Sequence, residues 1–205
     1  MSIKSAERFL RHSRTRQLSA MLERYIDPHG DPRIYWAKEV TFDYSTNHKI
    51  RVDYMRFKPL NNTTSGIEKG DFYAYEIKSS VEDFKSLNGH NFIADYNYYV
   101  MPTDIYEAVK DAVPYGVGVL CPDGEQLRSV KKAVRRDRAR PVSEMLLMLW
   151  RSSRREIIAR RKNRDQKEKK SRPTRILYAT QPSLNSLRKS GGRLSSYAMS
   201  YNILN

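Results

Sequence analysis

One helix-period segment followed by three β-rich runs in quick succession constrains this chain more than any other feature. Ser5–Ile26 carries Phe9, Leu18, Met21, Leu22, Tyr25 and Ile26 as an imperfect apolar stripe among arginines, which predicts a helix. Asp27-Pro28-His29-Gly30-Asp31-Pro32 ends it, because two prolines and a glycine do not continue a helix. Ile34–Phe42 and Ile50–Phe57 are β-rich and joined through Ser45-Thr46-Asn47-His48, so they predict a hairpin. Lys58–Gly70 reads as a polar loop and Phe72–Lys78 as a third strand. Helices and strands then alternate: Val81–Phe92 helical, Tyr96–Met101 extended, Thr103–Ala112 helical, Tyr115–Cys121 and Gln126–Lys131 extended. Ser80 with Asp83 has capping-box spacing, and Thr103 and Ser143 are candidate N-caps. The order predicts a mixed α/β domain over residues 1–140, a basic helix over 141–172 and a tail over 173–205, where Ile176–Tyr178 could still pair.

Charge separates the same regions. Met1–Leu127 holds 16 Lys/Arg against 18 Asp/Glu, whereas Arg128–Arg172 holds 18 against 5. A near-neutral body with a strongly basic C-terminal third favours a polyanionic partner, nucleic acid before a membrane surface. Arg151, Arg154, Arg155, Arg160, Arg161 and Arg164 are the candidate phosphate contacts, since several fall three or four residues apart on a helix beginning near Ser143. The apolar run Met145–Trp150 is the expected dock of that helix on the body or on a second copy of the chain. It is far shorter than the roughly 20 residues needed to span a bilayer. One cysteine, Cys121, excludes an internal disulfide framework and a cysteine-based zinc cluster. With no apolar leader in Met1–Arg16, the expectation is a cytoplasmic, soluble protein.

Strand alternation singles out three chemical groups. In Asp71–Lys78, Glu76 and Lys78 share a face with Phe72 and Ala74. In Ile50–Phe57, Asp53 lies on the face opposite Val52 and Tyr54. An antiparallel pairing of these strands would bring Asp53 to Glu76 and Lys78 at one rim of the sheet. Two carboxylates there offer hard oxygens to Mg²⁺, the carbonyl of Ile77 a further one, and Lys78 a cation for an anionic transition state. A salt-bridged strand end without a metal is the plain alternative. Nearby, helix capping is the preferred role of the Ser80–Asp83 stretch over a phosphate or metal-bound-water contact by Ser79 or Asp83. A surface or helix-end histidine is preferred over a general base at His90, and Asp95 orients Lys78 or closes the strand. Tyr96, Tyr98 and Tyr99 read as core and sheet residues.

Asp53 followed by Glu76-Ile77-Lys78, in this order of elements, resembles the PD-(D/E)XK nuclease superfamily. Tyr75–Phe84, with Asp95 and Tyr98-Tyr99-Val100-Met101-Pro102, is similar to its MmcB-like branch of DNA-repair nucleases, which includes versions carried by prophages. The similarity covers roughly Ile34–Lys132. It implies a restriction-endonuclease-like mixed sheet flanked by helices and a Mg²⁺-dependent phosphodiesterase, with Mn²⁺ able to substitute. Asp53 and Glu76 are then metal ligands and Lys78 the catalytic lysine. For the family's first acid, Glu39 is favoured, with Glu23 and Glu7 competing. DNA is the expected substrate. RNA, a non-cleaving nucleic-acid-binding role and a homodimer stay open.

Overall fold

The computed structural model describes residues 3–86 and 88–171. The expected tail over 173–205, with Ile176–Tyr178, lies outside them. The chain groups into two units, Met1–Asp165 and Gln166–Asn205. The first holds the sheet and its helices; of the second, residues 166–171 are described, as the last residues of a helix.

The protein is α/β, in the order α1 (Ile3–Ile26), β1 (Tyr35–Phe42), β2 (Ile50–Lys58), α2 (Thr64–Glu68), β3 (Asp71–Ile77), α3 (Val81–Lys85), β4 (Tyr96–Val100), α4 (Thr103–Val109), β5 (Gly118–Asp123), β6 (Gln126–Lys131) and α5 (Val142–Ser171). The six strands form one sheet in sequence order. β1, β2 and β3 pair antiparallel, β3, β4 and β5 parallel, and β6 returns antiparallel on β5. Parallel pairs need crossovers, and α3 and α4 with their flanking loops supply them.

Helices cover both faces, because both faces are apolar. Leu18, Met21, Leu22 and Ile26 recur at helical spacing and seat α1 on Tyr54, Tyr75, Ile77, Val100 and Leu120. On the other face Met145 and Leu149 of α5 pack with Phe42, Met55, Phe57 and Phe72. Phe84, Ile105 and Val109 cover Tyr99, Val119 and Cys121 beside them. The first turns of α5 are thus part of the core, as the apolar run Met145–Trp150 predicts, although Trp150 itself is exposed.

Several boundaries differ from expectation for local reasons. The loop over 58–70 contains α2, started by Thr63, whose hydroxyl accepts from Gly66 N. The expected helix to Phe92 stops at Lys85, ahead of left-handed backbone at Gly89 (φ +71°) and Phe92 (φ +44°). β5 begins at Gly118 rather than Tyr115, because Gly116 turns left-handed (φ +81°) and a side chain at Gly118 would strike the Tyr98 ring. Thr103 is the first helical residue rather than a cap, with Pro102 before it. Ser143 sits inside α5 rather than capping it, and α5 stays helical to Ser171.

Candidate active site

The site forms where β2 and β3 part. Their register runs Phe57↔Phe72, Met55↔Ala74, Tyr54↔Tyr75, and the next residues in line are Asp53 and Glu76, which therefore share one face. The ladder ends there. Asp53 Oδ2 instead accepts a hydrogen bond from Ile77 N at 3.0 Å, so a side chain takes the place of a strand carbonyl. Ile77's own carbonyl points to the same edge, since N–H and C=O of one strand residue share a side.

The two carboxyl groups perturb each other. Glu76 is 6% exposed. Burial, then the negative charge of Asp53, pushes its carboxyl up to about 9, with Lys78 pulling the other way. Asp53 is also raised, by burial first, while the Ile77 N–H and the cations of Arg51 and Lys78 oppose the shift. Two carboxyls in one desolvated gap cannot both ionise without an added cation.

Lys78 is 3% exposed. Its ammonium donates to Asn88 O at 2.6 Å and to Asp83 O at 3.3 Å, which leaves one of its three protons free. Gly89 closes over this pair: a Cβ there would stand 2.8 Å from Glu76 Oε2 and 3.1 Å from Lys78 Nζ. Gly89 is a site residue that the motif reading did not name. The Asn88-Gly89 turn signal was its only trace in the sequence.

Asp53 and Ile77 open onto a cleft of about 840 Å³ walled by α1, β1, β2 and α5. Its walls carry His12 and Arg16 from α1, Lys38 and Glu39 from β1, Arg51 from β2 and Arg155 from α5. Here strict alternation fails. Inward residues on β1 run Ala37, then Val40 and Phe42; on β2 they run Phe57, Met55, then Val52. Each strand slips by one at Glu39 and Asp53, which lie between the Lys38↔Tyr54 and Val40↔Val52 pairs, and Glu39 takes a left-handed backbone (φ +50°). Val52 and Tyr54 consequently belong to opposite faces, so Asp53 is not opposite both of them as expected.

Glu39, favoured as the first acid, shares the cleft with Asp53. Among the described residues no three His, Cys, Asp or Glu side chains are grouped to hold a metal ion. Its carbonyl, rather than its carboxylate, is engaged, accepting from Arg155 Nη2 at 3.0 Å and Ser152 Oγ at 3.3 Å. Glu23 also lines the cleft, committed to the Tyr54 hydroxyl at 2.9 Å and to Lys38. The Glu7 side chain lies outside the described residues.

The neighbouring candidates have structural work. Ser80 Oγ accepts from Asp83 N at 3.1 Å, the predicted cap, and Asp83 Oδ2 accepts from Ser79 N at 3.1 Å. His90 is clamped at both ring nitrogens, by the Tyr99 hydroxyl and by the carbonyls of Phe84 and Ser86, which leaves no nitrogen for a base. Asp95 closes the far end of β3, accepting from Phe72 N at 2.8 Å and pairing with Arg138 and Arg135, and does not reach Lys78. Tyr96 and Tyr98 stack on Tyr73 and Tyr75, and Tyr99 is fully buried.

The six arginines of α5 do not share one face. At 100° per residue Arg151, Arg154, Arg155 and Arg161 fall within about 120° of one another, and Arg160 and Arg164 fall on the other side. Arg160 is paired to Glu156 at 2.6 Å, while Arg161 and Arg164 are exposed.

The donor set suits a hard divalent cation: two carboxylates and a backbone carbonyl, with cleft space for water. Among the described residues no helix is long and apolar enough to cross a membrane. No family model and no curated protein matches the chain. Among solved structures it is similar to the SPO1766 protein of unknown function from Silicibacter pomeroyi, at 18% identity and a TM-score of 0.51, over 75% of this chain and 93% of that one. At that identity the likeness speaks to the fold alone.

Proposed function

We propose that the chain is a Mg²⁺-dependent nuclease, with Mn²⁺ able to substitute, that hydrolyses DNA phosphodiester bonds in repair, recombination or phage DNA processing in the bacterial cytoplasm. The observation that carries this reading is the parting of β2 and β3 at Asp53 and Glu76, with Lys78 held beside them. The resemblance of Asp53 and Glu76-Ile77-Lys78 to the PD-(D/E)XK pattern supports it independently.

Asp53, Glu76 and the Ile77 carbonyl would hold the cation, which when bound polarises the phosphoryl oxygen and acidifies water. The chain's own residues do the rest. Asp53 holds the end of β3 through the Ile77 N–H, fixing the carboxylates relative to each other. Lys78, anchored by two carbonyls, supplies the fixed positive charge that offsets the charge developing on the phosphate. Arg16, Arg51 and Arg155 in the cleft walls bind backbone phosphates, which supplies affinity without reading sequence.

Incubation of the pure protein with duplex, nicked, branched and single-stranded DNA and RNA, in Mg²⁺, Mn²⁺ or EDTA, tests the reading. Cation-dependent cleavage of DNA is expected. Cleavage of RNA alone would redirect the substrate. Binding without cleavage in any cation would make this a nuclease-fold binding protein.

A further inference from the structure

A second pocket of about 310 Å³ lies between the β1 end and α5, lined by Thr41, Tyr44, Arg151, Arg154, Arg155 and the apolar side chains of Met148 and Ile158. Three arginines converge there, and among the described residues no carboxylate lines it. Asp43, next to it in sequence, is already taken by Arg140. Among the described residues Arg155 is fixed by neutral acceptors, Glu39 O and Ser152 Oγ, each at 3.0 Å, and has no carboxylate on it. Arg151 lies over the Tyr44 ring, 4.6 Å from its centroid, and holds the phenol below its usual pKa range. Tyr44 remains 59% exposed, so its ring has free surface beyond the guanidinium. Since Arg155 lines both this pocket and the cleft at Asp53, the two are continuous through one side chain.

We infer that this pocket is a nucleotide subsite: Arg151, Arg154 and Arg155 hold a phosphate of a single strand, and Tyr44 stacks on the adjoining base. Unstacked bases expose a π-face that a tyrosine can cover, whereas bases within a duplex are already stacked. Apolar Met148 and Ile158 suit a base edge better than they suit a free inorganic anion. The inference rests on the nuclease reading in taking the ligand to be a strand that continues into the cleft.

The test separates binding from cleavage. In EDTA, anisotropy of a fluorescent single-stranded DNA oligonucleotide is titrated with the full chain, with Arg151→Gln/Arg154→Gln and with Tyr44→Ala. The arginine double variant should bind about tenfold or more weakly, with a log–log salt slope shallower by about 1.4. Tyr44→Ala should lose about fivefold or more for the single strand, with a smaller loss for blunt duplex. A deoxynucleoside 5′-monophosphate should compete for the strand better than inorganic phosphate or the nucleoside alone. Unchanged affinity and salt slope in the arginine variant would overturn the subsite. Equal loss on duplex and single strand in Tyr44→Ala, or phosphate competing as well as the nucleotide, would overturn base stacking. All three side chains are at the surface, and matching thermal melts confirm that the variants fold. Failure of Mg²⁺-dependent cleavage with these binding results intact would count against the nuclease reading and leave the subsite standing.

Discussion

Three arginines before Pro141 and three after it meet opposite fates. Before it, Arg135 pairs with Asp71 and Asp95, Arg138 with Asp95, and Arg140 with Asp43 and Glu144. After it, Arg151, Arg154 and Arg155 have no carboxylate partner among the described residues, and their contacts are a tyrosine ring, a carbonyl and a hydroxyl. In sequence the two groups look alike. In the fold the first ties residues 132–141 across the sheet's core and the second faces a pocket and a cleft. A positive charge becomes available to a ligand only when the fold withholds its carboxylate, so net charge overstates the binding surface.

That contrast can be broken from either side, and the largest effect should come from the paired group. Arg138→Ala leaves Asp95, 1% exposed, with only the more exposed Arg135, and should cost about 3 kcal/mol. Urea unfolding reads this directly, and a cost under about 0.5 kcal/mol would mean the pair is ornamental. Nucleic-acid binding by this variant, measured where it is folded, should be unchanged.

Buried carboxylates sharpen the comparison. Asp95 has two arginines, whereas Glu76 has a second carboxyl beside it. Its pKa lies at about 9 when folded against an ordinary 4.5, so the folded state binds this proton more tightly than the unfolded state does. Between those values stability from this group falls as pH rises, and it is fully present only below the ordinary value. In EDTA the melting temperature should therefore decline from about pH 5 to about pH 8, and Glu76→Gln should flatten the decline by several degrees. Identical pH profiles for the two proteins would contradict the burial argument.

Smaller effects follow. Arg140→Gln loosens a half-buried contact to Asp43 and Glu144 and should cost about 1 kcal/mol. Arg154→Gln touches no carboxylate, so stability should hold within about 0.5 kcal/mol while the salt slope of single-strand binding falls by about 0.7. A destabilised Arg154→Gln would erase the distinction between the two groups.

The sequence revealed the element order because turn clusters such as Asp27–Pro32 and period-2 runs are local signals. It also revealed that Asp53 and Glu76 meet, because their strands are neighbours and the register aligns them. What it hid is non-local or exceptional. No alternation rule anticipates a glutamate with left-handed backbone, so the slip at Glu39 and Asp53, and with it the shape of the cleft, was not legible. The role of His90 depends on a tyrosine and two carbonyls that only the folded chain assembles. The α1 wall, with His12 and Arg16, was hidden because exposed basic residues on a helix look alike until the sheet lies beneath them.

The central claim is that chemistry belongs to the Asp53–Glu76 pair and affinity to the unpaired arginines. Single-turnover cleavage of DNA by Glu76→Gln at saturating protein with Mg²⁺ tests it most directly, with anisotropy in EDTA as the binding control. The rate should fall by about a thousandfold or more while the dissociation constant stays within about twofold. Cleavage by Glu76→Gln at the wild-type rate would contradict the account, whatever its affinity.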